Sequence, residues 1–258
     1  MRNYVKRATV VFVLLLALVP AVSGQSSSAK AAKDTKANAA VDDVEQLLSR
    51  YILALGGVEL FKHKTRIVRG RVEMSESPNP GTFEIYEKLP VKSMLVVNTP
   101  GGQLLGASDG DKHWLQTPWG GMKTFGGGGI NVLAQAGKEK GFKWRNAFSS
   151  SSLKGRATID GREMIVMAAT PNGGEPMLYY FDAETFLLRK TELARRAVAG
   201  EGNRLRGIYL DSYATVDGVK YPALFRQVYT QYTLTFRATE IKHDMPINDL
   251  LFESPNGK

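Results

Sequence analysis

A long succession of short strand-like segments constrains this fold more than any other feature of the sequence. Asp-Gly dipeptides at 109–110, 160–161 and 217–218 favour the tight turns of β-hairpins. Consecutive strands joined by short turns form an antiparallel meander, and so many strands predict a sheet that curls. We therefore predict a mostly β chain with a few helices (α+β). The predicted strands are 66–74, 82–88, 92–98, 103–108, 112–116, 153–159, 162–169, 177–181, 186–193, 204–213, 219–228 and 230–241.

One amphipathic helix precedes the strands. Apolar residues recur at helical spacing from Val44 to Leu55, which places them in a single stripe. Asp42 or Asp43 can cap the first turn, and the pair Gly56-Gly57 ends the helix. The pattern predicts a helix that buries one face.

The N-terminus has the pattern of a secretory signal peptide. A basic start is followed by an apolar run from Ala8 to Val22, and small residues precede Gln25. The run is shorter than the ~20 residues that a membrane helix needs, and an uncleaved anchor is the alternative. We predict a signal peptide over 1–24, a flexible linker over 25–41 and a single domain over 42–258. Cleavage removes three positive charges, so the formal net charge falls from +9 to +6.

The composition excludes several kinds of chemistry. The chain has no cysteine, which excludes disulfides, thiolate zinc sites, iron–sulfur clusters and a cysteine nucleophile. Its three histidines, at 63, 113 and 243, fall on separate predicted elements without metal-ligand spacing, so we expect no metal and no cofactor. Ser149–Ser152 is expected to be a loop, and Glu84 and Glu87 fall on opposite faces of one strand. These observations predict a protein that is not an enzyme.

A glycine run interrupts the succession of strands. Gly126–Gly129 precedes a short apolar stretch, 130–136, which predicts a short helix entered through a flexible hinge. We interpret this helix as a mobile lid over the sheet, with Val132 and Leu133 as its apolar contacts. An ordinary surface loop is the alternative.

Basic residues are concentrated late in the chain. They either form a solvated sheet face or attract an anionic membrane surface or an acidic partner. A nucleic-acid partner is not expected, because no reader motif is present. These cations are Arg189, Lys190, Arg195, Arg196, Arg204 and Arg206.

Three segments resemble the periplasmic lipoprotein carrier LolA. Residues 83–90 (FEIYEKLP) resemble its strand that ends in Lys-Arg-Pro, 108–118 (SDGDKHWLQTP) resembles its next hairpin, and 247–257 (INDLLFESPNG) resembles its closing segment. Residues 51–57, 180–185 and 216–222 are similar to divergent outer-membrane lipoprotein-sorting-like members of the superfamily. The order of elements fits as well, over most of 42–258.

This resemblance implies a strongly curved antiparallel half-barrel, covered by an N-terminal helix and a lid helix, with an apolar cavity for acyl chains. The carrier has an arginine before the proline that latches its lid, and this chain has Leu89 there. Lys88 and Arg71 are the alternatives for that role. Lid release or cargo is therefore expected to differ from that of the carrier.

The leading hypothesis is a periplasmic, monomeric, non-covalent carrier of lipid or lipoprotein acyl chains. The alternative is a non-catalytic envelope scaffold with a filled core. The predicted cavity wall consists of alternating strand residues: Phe83, Ile85, Leu95, Val97, Leu104, Trp114, Ile165, Met167, Leu178, Tyr180 and Phe236.

Overall fold

A computed structural model describes residues 43–89, 92–109, 112–118, 121–126, 148–171, 175–194 and 205–254. The predicted signal peptide, linker and lid helix lie outside these residues. None of the helices that the structure describes is long and apolar enough to cross a membrane.

The described residues form one antiparallel sheet of thirteen strands. In sheet order from β6 to β1 and then from β13 to β7, every neighbouring pair is also consecutive in sequence, except β1 and β13. The strands are β1 (Thr65–Met74), β2 (Gly81–Lys88), β3 (Lys92–Thr99), β4 (Gly102–Ser108), β5 (Lys112–Thr117), β6 (Gly121–Gly126), β7 (Phe148–Ile159), β8 (Arg162–Pro171), β9 (Met177–Asp182), β10 (Leu188–Leu193), β11 (Leu205–Val216), β12 (Val219–Tyr229) and β13 (Thr233–His243). The mostly β antiparallel meander predicted from the turn dipeptides is thus confirmed, and the sheet is open.

The structure corrects two details of the predicted strands. Residues 121–126 form β6, which the sequence did not predict because glycines at both ends weaken the strand pattern. Ser149–Ser152, predicted to be a loop, lie inside β7. Their small polar side chains suit a strand at the edge of the sheet, where Ser150 bonds to Thr170 of β8.

The sheet bends sharply towards one face. The ring of Phe83 on β2 lies 6.1 Å from that of Phe225 on β12, although β1 and β13 separate these strands. Three strand spacings in a flat sheet would span about 14 Å. Phe236 of β13 packs between the two rings, and a Cβ on Gly70 of β1 would come within 2.6 Å of the Phe83 ring. We call the side on which these rings converge the concave face, and the opposite side the convex face.

A helix packs on the concave face. Helix α1 (Val44–Leu55) begins at Asp43, whose side chain accepts a hydrogen bond from the Gln46 amide. Its buried residues join the same apolar cluster as the concave residues of the sheet. The helix ends at Gly56, with φ of 135°, where a Cβ would lie 2.5 Å from the Gly218 carbonyl oxygen. The 3-10 helix η1 (Gly57–Phe61) follows, so the β11–β12 turn fixes the end of the helical segment.

The chain ends on the convex face. A second 3-10 helix, η2 (Asp249–Phe252), brings Phe252 and Ile247 against convex residues of β1, β3, β4 and β5. The indole Nε1 of Trp114 donates a hydrogen bond to the Phe252 carbonyl oxygen at 3.2 Å. Strands β1, β3 and β5 therefore carry buried apolar residues on both faces.

Candidate binding face and its polar end

Most of the predicted wall residues lie together on the concave face. The strand register places Phe83 and Ile85 of β2 opposite Val97 and Leu95 of β3, and all four are buried. Leu104 of β4 is partly buried against the same cluster. The other concave members of the predicted wall are Ile165, Met167 and Phe236.

Three predicted wall residues lie on the convex face instead. Trp114 pairs with Ala107 and packs beneath η2, while Tyr180 and Leu178 share a small convex cluster with Val166. The sequence placed them on the concave wall because they are apolar at strand positions. In these strands both faces carry apolar residues, so hydrophobicity did not identify which face they occupy. Val132 and Leu133 lie outside the described residues.

Helix α1 contacts the concave face through aromatic side chains. The rings of Tyr51 and Phe181 lie 5.4 Å apart in an edge-to-face arrangement, and the Arg50 guanidinium stacks over Phe186. Burial raises the pKa of the Tyr51 hydroxyl far above its ordinary value, so this group stays neutral. The helix thus covers the β9–β10 end of the concave face.

A polar row crosses one end of the concave face. Pairwise register aligns one residue from each of β13, β1, β2, β3, β4 and β5, and all six are buried or nearly so. Its members are His243, Arg66, Glu87, Ser93, Ser108 and His113. A buried polar row of this kind at the end of an apolar wall was not apparent from the sequence, because its members come from six different strands.

An ion pair lies at the centre of the polar row. The Arg66 Nε donates a hydrogen bond to one Glu87 carboxylate oxygen, Nη2 forms an ion pair with the same oxygen, and the guanidinium also stacks over the Tyr221 ring. Burial raises the pKa of Glu87 to about 7, while Arg66 acts in the opposite direction. The second carboxylate oxygen of Glu87 has no hydrogen-bond partner among the described residues. Glu84 on the same strand faces the convex side and binds Arg69, as the predicted opposite orientation requires.

His243, at the end of this row, stacks on a second histidine. The rings of His63, which follows η1, and His243, at the end of β13, are stacked with centroids 4.1 Å apart. Their Nδ1 atoms lie 2.8 Å from an Asp244 oxygen and 2.9 Å from an Asp217 oxygen, respectively. The sequence correctly placed them on separate elements. It could not show that they meet, because 180 positions separate them.

The basic residues predicted to form one surface differ in their exposure to solvent. Arg189 lies 3.6 Å from Asp182, and Lys190 lies 2.7 Å from Glu192 between two tyrosine rings. Both side chains are largely buried, whereas Arg206 is exposed. Arg195, Arg196 and Arg204 lie outside the described residues. Of the two residues considered as replacements for the latch, Lys88 binds Asp249 and Arg71 is exposed on the convex face.

Comparison with known proteins gives similarity in structure but not in sequence. No protein-family model and no curated protein sequence matches the chain. A LolA superfamily protein from Nitrosomonas europaea superposes with a TM-score of 0.54 at 12% identity, covering 83% of this chain and 99% of that one. The chain has a LolA-like fold. A DUF1329 family protein from Desulfovibrio piger shares this fold, with a TM-score of 0.51 at 14% identity over 80% of this chain and 97% of that one.

The resemblance read from the sequence is therefore confirmed at the level of fold. A third solved structure, a putative outer membrane lipoprotein-sorting protein domain from Vibrio parahaemolyticus, has a TM-score of 0.46 at 13% identity, and covers 73% of this chain and 88% of its own. At these identities the LolA-like fold is what this chain shares with the Nitrosomonas europaea and Desulfovibrio piger proteins, and the function of this chain has to be argued from its own residues.

Proposed function

We propose that the protein is a carrier or binder of lipid or lipoprotein acyl chains, which are held without covalent chemistry on the concave face. The observation that carries this proposal is the continuity of the apolar surface on that face from β5 round to β7. Leu104, Leu153, Met177 and Leu234 are only partly buried along it, so they present apolar surface to a ligand. Each acyl CH₂ that such a surface removes from water contributes about 0.8 kcal/mol.

A lid completes the proposed carrier. The chain leaves β6 at one edge of the sheet and resumes in β7 at the opposite edge, so segment 127–147 joins the two edges covalently. We assign the lid to residues 130–136 within this segment, with Val132 and Leu133 facing the acyl chain and Gly126–Gly129 as the hinge. The LolA-like fold, in which carriers need a cover over an open half-barrel, supports this assignment.

The proposed site of action is the bacterial envelope. The signal-peptide pattern of residues 1–24 and the linker pattern of 25–41 support export of a soluble periplasmic monomer. The exposed Arg206, together with Arg195, Arg196 and Arg204, supplies cations for an anionic membrane surface, whereas Arg189 and Lys190 are occupied by internal ion pairs. No cofactor is part of the proposed function.

Two adjacent leucines provide the test of acyl binding. Leu104 and Leu105 are both partly buried on β4, but Leu104 belongs to the concave cluster and Leu105 to the convex one. We expect Leu104→Trp to reduce the affinity for a fluorescent fatty acid at least tenfold, because the indole occupies the surface on which the chain lies. Leu105→Trp should bind as the wild type does. Equal affinities for both variants would contradict binding on the concave face.

The envelope scaffold is the second candidate. It is favoured by the tight packing of Phe83, Phe236 and Phe225, which fills the most strongly bent part of the concave face. Native mass spectrometry of protein purified from a periplasm distinguishes the two functions. Co-purified lipid supports the carrier, and a lipid-free chain that also fails to bind added fatty acid supports the scaffold.

A further inference from the structure

The two stacked histidines have the chemistry of metal ligands. Each ring makes its hydrogen bond through Nδ1, to Asp244 from His63 and to Asp217 from His243. A carboxylate at Nδ1 holds the proton there, which leaves the Nε2 lone pair free for a metal; this is the usual arrangement of metal-binding histidines. Both aspartates therefore orient a histidine in the way that a metal site requires.

The lone pairs of these histidines are not satisfied by the protein. Neither Nε2 atom has a hydrogen-bond partner among the residues that the structure describes, and both atoms are buried. The His243 side chain is only 3% exposed, so water does not replace the missing partner easily. A buried polar atom without a partner costs free energy, and two such atoms side by side indicate a ligand that satisfies both.

The distances suit a small cation. One ligand atom from each of His63, His243 and Asp217 can be chosen so that all three lie within 4.8 Å of one another. Tetrahedral ligands about 2 Å from zinc lie roughly 3.3 Å apart, so the two rings must rotate out of their parallel stack for both Nε2 lone pairs to point at one ion. Imidazole nitrogen is a donor that zinc and its neighbours in the periodic table accept.

The local charge also favours a cation. Asp217 and Asp244 contribute two formal negative charges, and the neighbouring Arg66 forms an ion pair with Glu87.

We propose that the Nε2 atoms of His63 and His243 bind a divalent transition-metal ion of the zinc class, and that Asp244 and Asp217 position the two rings. The ion joins the segment that follows η1 to the end of β13, where Asp217 of the β11–β12 turn holds the His243 ring. It thereby ties the helical cover of the concave face to the sheet. This site does not depend on the acyl-binding function and is tested without lipid.

Zinc titration tests the site in the full chain after its purification tag has been removed. Isothermal calorimetry with zinc chloride should give one ion per chain. His63→Gln and His243→Gln should abolish this binding, and Asp244→Asn should weaken it about 10–100-fold through loss of ring orientation. Asp217→Asn should weaken it by a similar factor, because the His243 ring loses its orientation in the same way.

Asp160 supplies the matched control. It lies in the Asp-Gly turn between β7 and β8 with φ of 48°, against 49° for Asp217 in the β11–β12 turn, and both positions are exposed. Asp160→Asn should therefore leave zinc affinity unchanged. Equal weakening by the two aspartate variants would overturn the proposal.

Imidazole nitrogen NMR of the unmodified chain keeps the test valid if a histidine variant does not fold. One equivalent of zinc should shift the Nε2 signals of His63 and His243 and leave those of His113 in place. Absence of any shift, or a shift of His113 alone, would overturn the site.

Discussion

At the scale of single residues, the unusual feature is a buried charge pair at the end of an apolar wall. Arg66 and Glu87 are 1% and 0% exposed, and Tyr221 covers the guanidinium. Their mutual attraction offsets the cost of removing both charges from water only while both partners are present. Removal of one partner therefore destabilises the fold more than the intact pair stabilises it.

Truncation of Glu87 tests this account. Glu87→Ala leaves the Arg66 guanidinium buried without its carboxylate, so we expect the free energy of unfolding to fall by about 3–5 kcal/mol. Glu84→Ala is the control on the same strand, because Glu84 binds Arg69 on the more exposed convex face and such pairs contribute ~1 kcal/mol or less. Urea denaturation measures both variants. Decreases of similar size in the free energy of unfolding would show that the buried Glu87 pair matters no more than the exposed Glu84 pair.

The sequence predicted part of this residue-scale arrangement. Strand alternation alone placed Glu84 and Glu87 on opposite faces, since the period of a strand is two residues. The partner of Glu87 could not be inferred, because Arg66 belongs to another strand and the register depends on the whole sheet. The meeting of His63 and His243 was hidden for the same reason.

At the scale of elements, the C-terminal segment 247–252 acts as a cover for the convex face. Phe252 is buried beneath it against the Trp114 cluster, and Asp249 binds Lys88 and Lys92 at the two ends of the β2–β3 turn. Apolar contact thus fixes one side of the segment and exposed ion pairs fix the other.

The ion pairs of Asp249 predict a pH dependence. Hydrogen bonds from Lys88 and Lys92 lower the pKa of Asp249 from 3.8 to about 2. The folded state therefore holds this carboxylate ionised more strongly than the unfolded state does. Its contribution to stability is complete above pH 3.8 and is lost as the pH falls towards 2. The stability difference between the wild type and Asp249→Asn should shrink over this window in urea titrations.

Glu253, the residue that follows this segment, is the control for this prediction. Its carboxylate is exposed and makes none of the ion pairs that the structure describes for Asp249. Glu253→Gln should follow the wild-type profile. A difference between the wild type and Asp249→Asn that stays constant from pH 4.5 to 2 would contradict the role of the ion pairs. High salt should reduce the difference, because these charges are exposed.

Element boundaries were the most predictable part of the fold. Alternation and Asp-Gly turns located twelve strands, most of them within a few residues of their true ends, and Asp43 and Gly56 bounded α1 as expected. The sequence did not indicate which face of the sheet Trp114, Leu178 and Tyr180 occupy. Both faces of those strands are packed, so an apolar residue there does not indicate which side it occupies.

At the scale of the whole molecule, curvature determines which residues can bind a ligand. Phe83 and Phe225 approach each other only because the sheet bends near Gly70. At this point the register between β1 and β13 shifts, between Arg69 and Gly70. A bulge of this kind increases the local bend of a strand. The sequence indicated that a sheet of this size must curl, but the direction of the bend follows from contacts between distant strands.

The proposed lid gives the prediction that belongs to this scale. Leu133→Asp should increase the rate at which a bound fluorescent fatty acid is released, because the lid loses an apolar contact with the acyl chain. Leu53→Asp is the control, since Leu53 is 72% exposed on α1. Hydrogen exchange measures the lid directly. Amides of 130–136 that exchange as slowly as those of 162–169, with and without lipid, would contradict a moving lid.

The order of the strands also determines how the chain is built during synthesis. Strands β1–β6 and β7–β13 are two consecutive meanders, and each can close by local hairpins. The two meanders pair with each other only through β1 and β13. This pairing joins residues that are far apart in the sequence, such as Arg69 and Glu240, which are 171 positions apart. Until β13 has been made, the first half therefore carries β1 as an open edge with unpaired backbone N–H and C=O groups, a site where unfinished sheets pair wrongly. This hazard lasts from the synthesis of the first strand to that of the last.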